Sequence, residues 1–285
     1  MKLSSSSDGV PLADRAPTPK EIERLRLLLS VFQDGSGTLE SQSGTPIPDW
    51  RNFEDVVDAF FGVTTPVDKD IFDVLVPYPS DSSEQMFGIS CKMKKALRMA
   101  YKKPKPKSKH GRAYIELSNP AKELKRAFNR AGVSMNNYSE GDNAAIAGKA
   151  AVEMIRKWHE EVSVAKGGKV LMDESCYLSL LWDDRDGRCT YRMYGFEHEL
   201  PDPSSLDWYV PDGTVHIKGC EQNGGIIMEV YPTSGGQIKY YPRVDDALWM
   251  SDEFDLASLP GVIETDLAAK AKAYFEDRWD YTFQQ

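Results

Sequence analysis

Three side chains suited to the hydrolysis of phosphate esters follow one another at equal spacing in this sequence. Asp73 follows Glu54 by 19 positions, and Lys92 follows Asp73 by another 19. Mg²⁺ takes oxygen ligands and keeps several waters, so two carboxylates and a substrate phosphate suffice to hold it. The ion would polarise the phosphate and activate a bound water, and a neighbouring lysine would stabilise the negative charge that develops. The three residues therefore predict a metal-dependent site that acts on phosphate groups.

The elements around these residues can bring them together. The apolar spacing of "NFEDVVDAFFG" predicts a short helix that carries Glu54, with Asn52 as N-cap and Gly62 as exit. "DIFDVLVPY" and "MFGISCKM" are predicted strands. If these strands pair in antiparallel fashion, Asp73 lies close to Lys92, and the two-residue period of a strand places Ser90 on the same face as Lys92.

The rest of the chain predicts helices first and strands later. Helical patterns cover Pro19–Gln33, "SNPAKELKRAFNRAG", "DNAAIAGKAAVEMIRKWHEEVSVA" and, near the end, "IETDLAAKAKAYFEDRW". "RAYIELS" is a predicted third strand, so this part of the chain has two or three central strands. After Gly167 the pattern changes to hairpins. We expect an arm and helix over 1–50, an α/β core over 51–165 and a β-rich region over 166–285, which either stands apart or forms one fold with the core.

Charge is strongly segregated along the chain. The net charge is -9, yet Lys92–Arg130 contains 14 basic and 2 acidic residues, which gives +12. Lys166–Gln285 contains 11 basic and 22 acidic residues, which gives −11. Such segregation indicates a polyanionic partner for the basic segment. Its predicted DNA-contacting residues are Lys94, Lys95, Lys102, Lys103, Lys105, Lys107, Lys109 and Arg112.

The residues "FDVLV" followed by "GISCKMK" resemble the PD-(D/E)XK nuclease superfamily, in particular type II restriction endonucleases with Ser-x-Lys in place of Glu-x-Lys. The helix "NFEDVVDAFF" resembles the one that supplies an upstream glutamate in those enzymes. The resemblance covers Asn52–Ala127. It implies an α/β (α+β) fold with a central mixed sheet flanked by helices.

The resemblance also implies roles for individual residues. Asp73 would be the central metal ligand, Lys92 the catalytic lysine and Glu54 the carboxylate from the helix. Ser90 would occupy the place of the usual second acid, with the backbone carbonyl of Cys91 facing the metal. Phe72 stands where the family pattern has proline, and no acid lies a dozen residues after Lys92. Three alternatives stay open: Glu116 or Glu123 can complete the site in place of Glu54, and Asp70 competes with Asp73.

The activity implied by the resemblance is Mg²⁺-dependent hydrolysis of double-stranded DNA at a short specific site by a homodimer, with Mn²⁺ able to replace Mg²⁺. A non-catalytic DNA- or RNA-binding protein that uses the basic segment is the alternative. The turns Asp184–Arg188 and Gln222–Gly224 are candidates for base recognition, although Arg185 and Arg188 also suit local ion pairs.

Composition limits where this protein acts. No apolar run approaches the roughly 18–20 residues of a membrane span, and the polar N-terminus is not a secretory signal. The four cysteines, Cys91, Cys176, Cys189 and Cys220, form no Cys-x-x-Cys pair and do not stand at zinc-binding spacing with a histidine. We therefore expect reduced thiols, no membrane contact and a cytoplasmic location.

Overall fold

The computed structural model describes residues 9–63, 71–78, 85–96, 111–117, 121–165, 169–185 and 188–259. Its four α-helices within these ranges are α1 (Pro19–Ser30), α2 (Trp50–Phe61), α3 (Ala121–Arg130) and α4 (Asn143–Ala165). The predicted C-terminal helix lies outside the described residues. None of the helices in the described ranges has the length and apolar character of a membrane-spanning segment.

The strands form one mixed and two antiparallel sheets, which confirms an α+β fold with a mixed central sheet. The order of the central sheet is β12-β7-β6-β4-β3, with β13 also paired to β7, and that of the second sheet is β5-β11-β10-β9-β8. β1 and β2 form a separate small pair. The strands are β1 (Leu39–Glu40), β2 (Pro46–Ile47), β3 (Val74–Pro77), β4 (Met86–Lys95), β5 (Ile115–Leu117), β6 (Cys176–Arg185), β7 (Arg188–Glu197), β8 (Asp207–Tyr209), β9 (Ile217–Cys220), β10 (Ile226–Tyr231), β11 (Gln237–Tyr240), β12 (Trp249–Met250) and β13 (Phe254–Asp255).

Helix α2 begins three residues earlier than the cap predicted from its sequence. Asp49, not Asn52, is the N-cap, and its carboxylate accepts hydrogen bonds from the backbone N–H groups of Arg51 and Asn52. The Asn52 side chain returns a bond to the Asp49 N–H, which completes a capping box. Gly62 ends the helix in the left-handed conformation, as predicted (φ 66°). The cap fixes the start of the helix, which carries Trp50 and, one turn later, Glu54.

The two faces of β4 differ in chemistry. Ile89, Cys91 and Met93 point into an apolar layer that also contains residues of α1 and α2. Ser90 and Lys92 alternate with them on the opposite face, beside Tyr177 and Ser179 of the parallel neighbour β6. That face also packs against α4 and the second sheet through a larger apolar cluster. The predicted alternation of β4 is confirmed.

Strand pairing crosses the predicted boundary between residues 165 and 166 twice. β4 pairs with β6 in parallel, after a connection that contains β5, α3 and α4. β5, the predicted third strand, pairs with β11 in the second sheet. β5 is therefore a strand, as predicted, but it belongs to the second sheet and not to the central one. The C-terminal hairpins supply strands to both sheets.

Candidate active site

Asp73 stands immediately before β3, and three groups of β4 converge on one of its oxygens. Its Oδ2 accepts the backbone N–H of Cys91 at 2.8 Å and lies 3.0 Å from Lys92 Nζ. Ser90 Oγ donates to the same oxygen at 3.4 Å. The expected proximity of Asp73 and Lys92 across the antiparallel pair is confirmed.

The end of the β3–β4 ladder explains this arrangement. Val74, the first residue of β3, pairs with Ile89, so the ladder stops before Cys91. The Asp73 carboxylate takes the Cys91 N–H at that point. A strand residue turns its N–H and C=O toward the same side, so the Cys91 carbonyl also points to the edge where Asp73 lies.

The Asp73–Lys92 ion pair is largely withdrawn from solvent, since the two side chains are 13% and 19% exposed. Both line a cleft of about 630 Å³. Glu54 of α2, which is only 7% exposed, lines the same cleft. The structure therefore brings Glu54, Asp73, Ser90, Cys91 and Lys92 to a single cleft.

A second acid–base pair lies farther along the same cleft. Lys94 Nζ lies 2.8 Å from Glu116 Oε2, and the Tyr114 hydroxyl donates to that oxygen at 3.2 Å. Burial acts to raise the pKa of Glu116, but the hydrogen bond and charge of Lys94, the Tyr114 hydroxyl and Lys239 together lower it below its ordinary value. Glu116 is therefore a carboxylate in the cleft. Glu123 instead faces Arg126 on the surface of α3.

The oxygens present suit a hard divalent cation. Two carboxylates, of Asp73 and Glu54, and the carbonyl of Cys91 are donors of the type that Mg²⁺ prefers, with waters filling the remaining positions. Within the described ranges, no three His, Cys, Asp or Glu side chains are assembled closely enough to form a metal site by themselves.

The basic residues fall into three groups. Lys95 is exposed, with its ammonium 4.6 Å from the ring centre of Trp182. Lys102, Lys103, Lys105, Lys107 and Lys109, as well as the competing Asp70, lie outside the described residues. Arg112 is 5% exposed and binds Glu221 at 2.7 Å and the carbonyl of Tyr241 at 2.9 Å. This buried position does not fit the predicted contact of Arg112 with DNA phosphates.

The arginines of the predicted base-reading turn also have local partners. Arg185 is paired with Asp183, and Arg188 binds Asp255 at 2.7 Å. Both therefore take the ion-pair alternative that their acidic surroundings suggested.

Several cleft residues were not predicted from the sequence. Trp50 and Trp158 line the cleft from α2 and α4, and His159 and Tyr177 belong to its wall. The position of Trp50, one helical turn before Glu54, was a usable signal, since residues four apart share a helix face. Trp158 and His159 carried no such signal, because α4 is far in sequence from the other site residues and reaches them only through the tertiary fold.

No protein-family model, no curated protein and no solved structure gives a significant match to this chain.

Proposed function

We propose that this protein is a Mg²⁺-dependent endonuclease that hydrolyses phosphodiester bonds of DNA, as a type II site-specific enzyme that cuts duplex DNA. The observation that carries the proposal is the 3.0 Å contact between Lys92 Nζ and Asp73 Oδ2 in a cleft shared with Glu54. In this proposal the carboxylates of Asp73 and Glu54 and the ammonium group of Lys92, which come from separate elements, would surround a bound phosphate.

Each residue has a definable task in this proposal. Asp73, Glu54 and the Cys91 carbonyl would hold Mg²⁺, which supplies Lewis-acid polarisation of the phosphate and a more acidic bound water. The Cys91 N–H holds the Asp73 carboxylate in orientation. Lys92 Nζ, already beside this carboxylate, stabilises negative charge on the phosphoryl oxygens as the leaving oxygen departs.

The test incubates purified protein with phage DNA in Mg²⁺ and in EDTA. Discrete fragments in Mg²⁺ alone support site-specific cleavage, and a smear supports cleavage without sequence preference. Asp73→Ala and Lys92→Ala should each reduce cutting by at least about 100-fold. Lys157→Ala, an exposed lysine on α4, is the matched control and should cut like the wild type.

A non-catalytic nucleic-acid-binding protein is the second candidate. It is favoured by the involvement of Asp73 in an ion pair and by the lack, in the described part of the chain, of three clustered metal-binding side chains. This candidate predicts that DNA shifts on a gel, with affinity that falls steeply with salt, and stays intact in Mg²⁺.

The proposal extends to assembly and location. A symmetric recognition site requires two copies of the active site, so we expect a homodimer, which sedimentation of the protein with and without DNA will test. The four cysteines are all free in the structure, as a reducing cytoplasm would keep them.

A further inference from the structure

The cleft contains an aromatic part that phosphate chemistry does not require. Trp50 and Trp158 come from different helices, and Ile155 and Leu117 add apolar surface beside them. Metal ions and phosphates interact with charged and polar groups. The apolar lining therefore indicates a second, uncharged portion of the ligand.

Trp50 presents an indole ring to solvent. Its side chain is 47% exposed although it is among the largest apolar groups in the chain. The guanidinium of Arg51 lies 4.9 Å from its ring centre. Trp158 is partly buried and packs against two apolar clusters, so its position is fixed by the core. One accessible and one anchored indole thus border the same space.

The polar part of the cleft lies on β4 and β5. Lys92 and Lys94 project from the same face of β4, two residues apart, and their ammonium groups bind Asp73 and Glu116. The cleft therefore combines cationic groups on one side with aromatic groups on the other. A nucleotide has the same division, between an anionic phosphate and a flat apolar base.

The size of the cleft restricts the ligand further. A volume of about 630 Å³ lies within the range of clefts that enclose small organic ligands. One nucleotide fits in such a space. A base can reach the tryptophans only when it is unpaired.

We infer that the cleft receives one unpaired nucleotide, with its base against Trp50 and Trp158 and its phosphate at Lys92 and Lys94. This inference rests on the proposed function and narrows its substrate to DNA that is single-stranded or locally opened at the cutting site. An unpaired base enters without the cost of extrusion from the duplex, so such sites are favoured. Stacking on an aromatic side chain strengthens binding by about 5- to 150-fold per base.

The experiment compares two probes that contain no cleavable internal phosphodiester. Thymidine 3′,5′-bisphosphate carries the base, and 2-deoxyribose 3,5-bisphosphate carries the same phosphates without it. Affinities are measured by calorimetry in Mg²⁺ for the wild type, Trp50→Ala, Trp50→Phe and Tyr78→Ala. Tyr78 is an exposed aromatic residue that is not part of the cleft lining, and it serves as the matched control.

We expect the wild type to bind the thymidine probe at least about 5-fold more tightly than the abasic probe. Trp50→Ala should remove most of this difference while leaving the affinity for the abasic probe unchanged. Trp50→Phe should retain part of the difference, and Tyr78→Ala all of it. Trp50 is exposed at the first position of its helix, so its replacement is compatible with folding.

Equal affinity of the wild type for the two probes would overturn the inference, as would failure to bind either probe or an equal effect of Trp50→Ala on both. Cleavage of phage DNA is scored separately. An enzyme that cuts DNA and binds both probes equally refutes the nucleotide cleft but not the nuclease. A base-dependent affinity without any cutting refutes the nuclease instead.

Discussion

At the scale of single residues, Asp73 is the common acceptor at the candidate site. Its Oδ2 accepts a backbone N–H, a hydroxyl and an ammonium from three consecutive residues of β4. Loss of Lys92 leaves the carboxylate with a partner, whereas loss of Asp73 leaves Lys92 and the Cys91 N–H without their shared acceptor. Asp73 is therefore the more consequential residue of the pair for stability.

We predict that Asp73→Ala lowers the free energy of unfolding by about 1–3 kcal/mol, because buried donors lose their acceptor. Asp73→Asn keeps a side-chain oxygen for the Cys91 N–H and should cost less. Urea unfolding of both variants measures the difference. If Asp73→Asn is as destabilised as Asp73→Ala, the Cys91 N–H bond is not the cause.

The second carboxylate of the site can be identified by charge-neutral substitution. We expect Glu54→Gln to reduce Mg²⁺-dependent cutting by at least about 10-fold, since the Glu54 carboxylate lines the same cleft as Asp73 and Lys92. Glu116→Gln should have a smaller effect because Lys94 already compensates its charge. Glu123→Gln, on the surface of α3, is the control.

The three variants are compared by their cutting rate and by the Mg²⁺ concentration that gives half of the maximal rate. A larger shift for Glu116→Gln than for Glu54→Gln would assign the ligand to β5 instead of α2. A change in the cutting rate or in the Mg²⁺ requirement of Glu123→Gln would indicate an effect outside the cleft.

At the scale of elements, the position of Asp73 depends on how the segment before β3 packs on β4. The Phe72 ring lies over Gly88, where a Cβ would stand 2.4 Å from the ring atoms. The Phe72 ring also packs against His198, with ring centres 4.9 Å apart. Gly88 thus allows the residue before Asp73 to lie flat on the sheet.

We predict that Gly88→Ala lowers the free energy of unfolding by about 1–3 kcal/mol, because the added methyl group overpacks the Phe72 site. It should also reduce cutting, since Phe72 moves Asp73 with it. A second Phe72→Ala substitution removes the clash, so the two changes should cost less together than their sum. Urea unfolding of both single variants and the double variant measures this coupling, and strict additivity would contradict the contact.

At the scale of the whole molecule, a buried histidine pair joins α4 to the central sheet beside the site. The rings of His159 and His198 are 4.0 Å apart, and His198 also packs 4.5 Å from Tyr177 of β6. Burial lowers the pKa of His159 to about 4. Burial, His159 and then Lys92 lower the pKa of His198 well below its ordinary value. The folded protein therefore holds both rings neutral.

These pKa values predict a loss of stability in acid. Well above pH 6.5 the rings are neutral in both states, so they contribute no pH dependence there. As the pH falls from 6.5 to about 4, the unfolded chain binds protons that the folded chain does not. His159 alone should thereby lower the free energy of unfolding by on the order of 3 kcal/mol.

Urea unfolding between pH 7 and pH 4.5 tests this prediction. His198→Phe, which suits the neighbouring Phe72 and Tyr177 rings, and His159→Gln should each flatten the pH profile relative to the wild type. A profile of unchanged steepness in both variants would assign the acid sensitivity to other groups.

The sequence by itself determined the local elements and the shared face of β4. The helical periods, the glycine exit of α2 and the strand alternation follow from interactions within a few residues, and they placed Ser90 with Lys92 and Asp73 near both. The cap of α2 was misassigned by three residues because Asp49 and Asn52 are both good capping residues and cap each other.

Only the tertiary structure decided which distant residues share the cleft and which charges meet. Strand β5 joined the second sheet through pairing with β11, and this brought Glu116 to Lys94. Arg112 forms an ion pair with Glu221, which lies more than a hundred residues later in the sequence. Within the +12 segment, the charge of Arg112 is therefore compensated by an acid from outside the segment, which sequence proximity does not reveal. Register between remote strands depends on the packing of whole layers, and no local pattern encodes it.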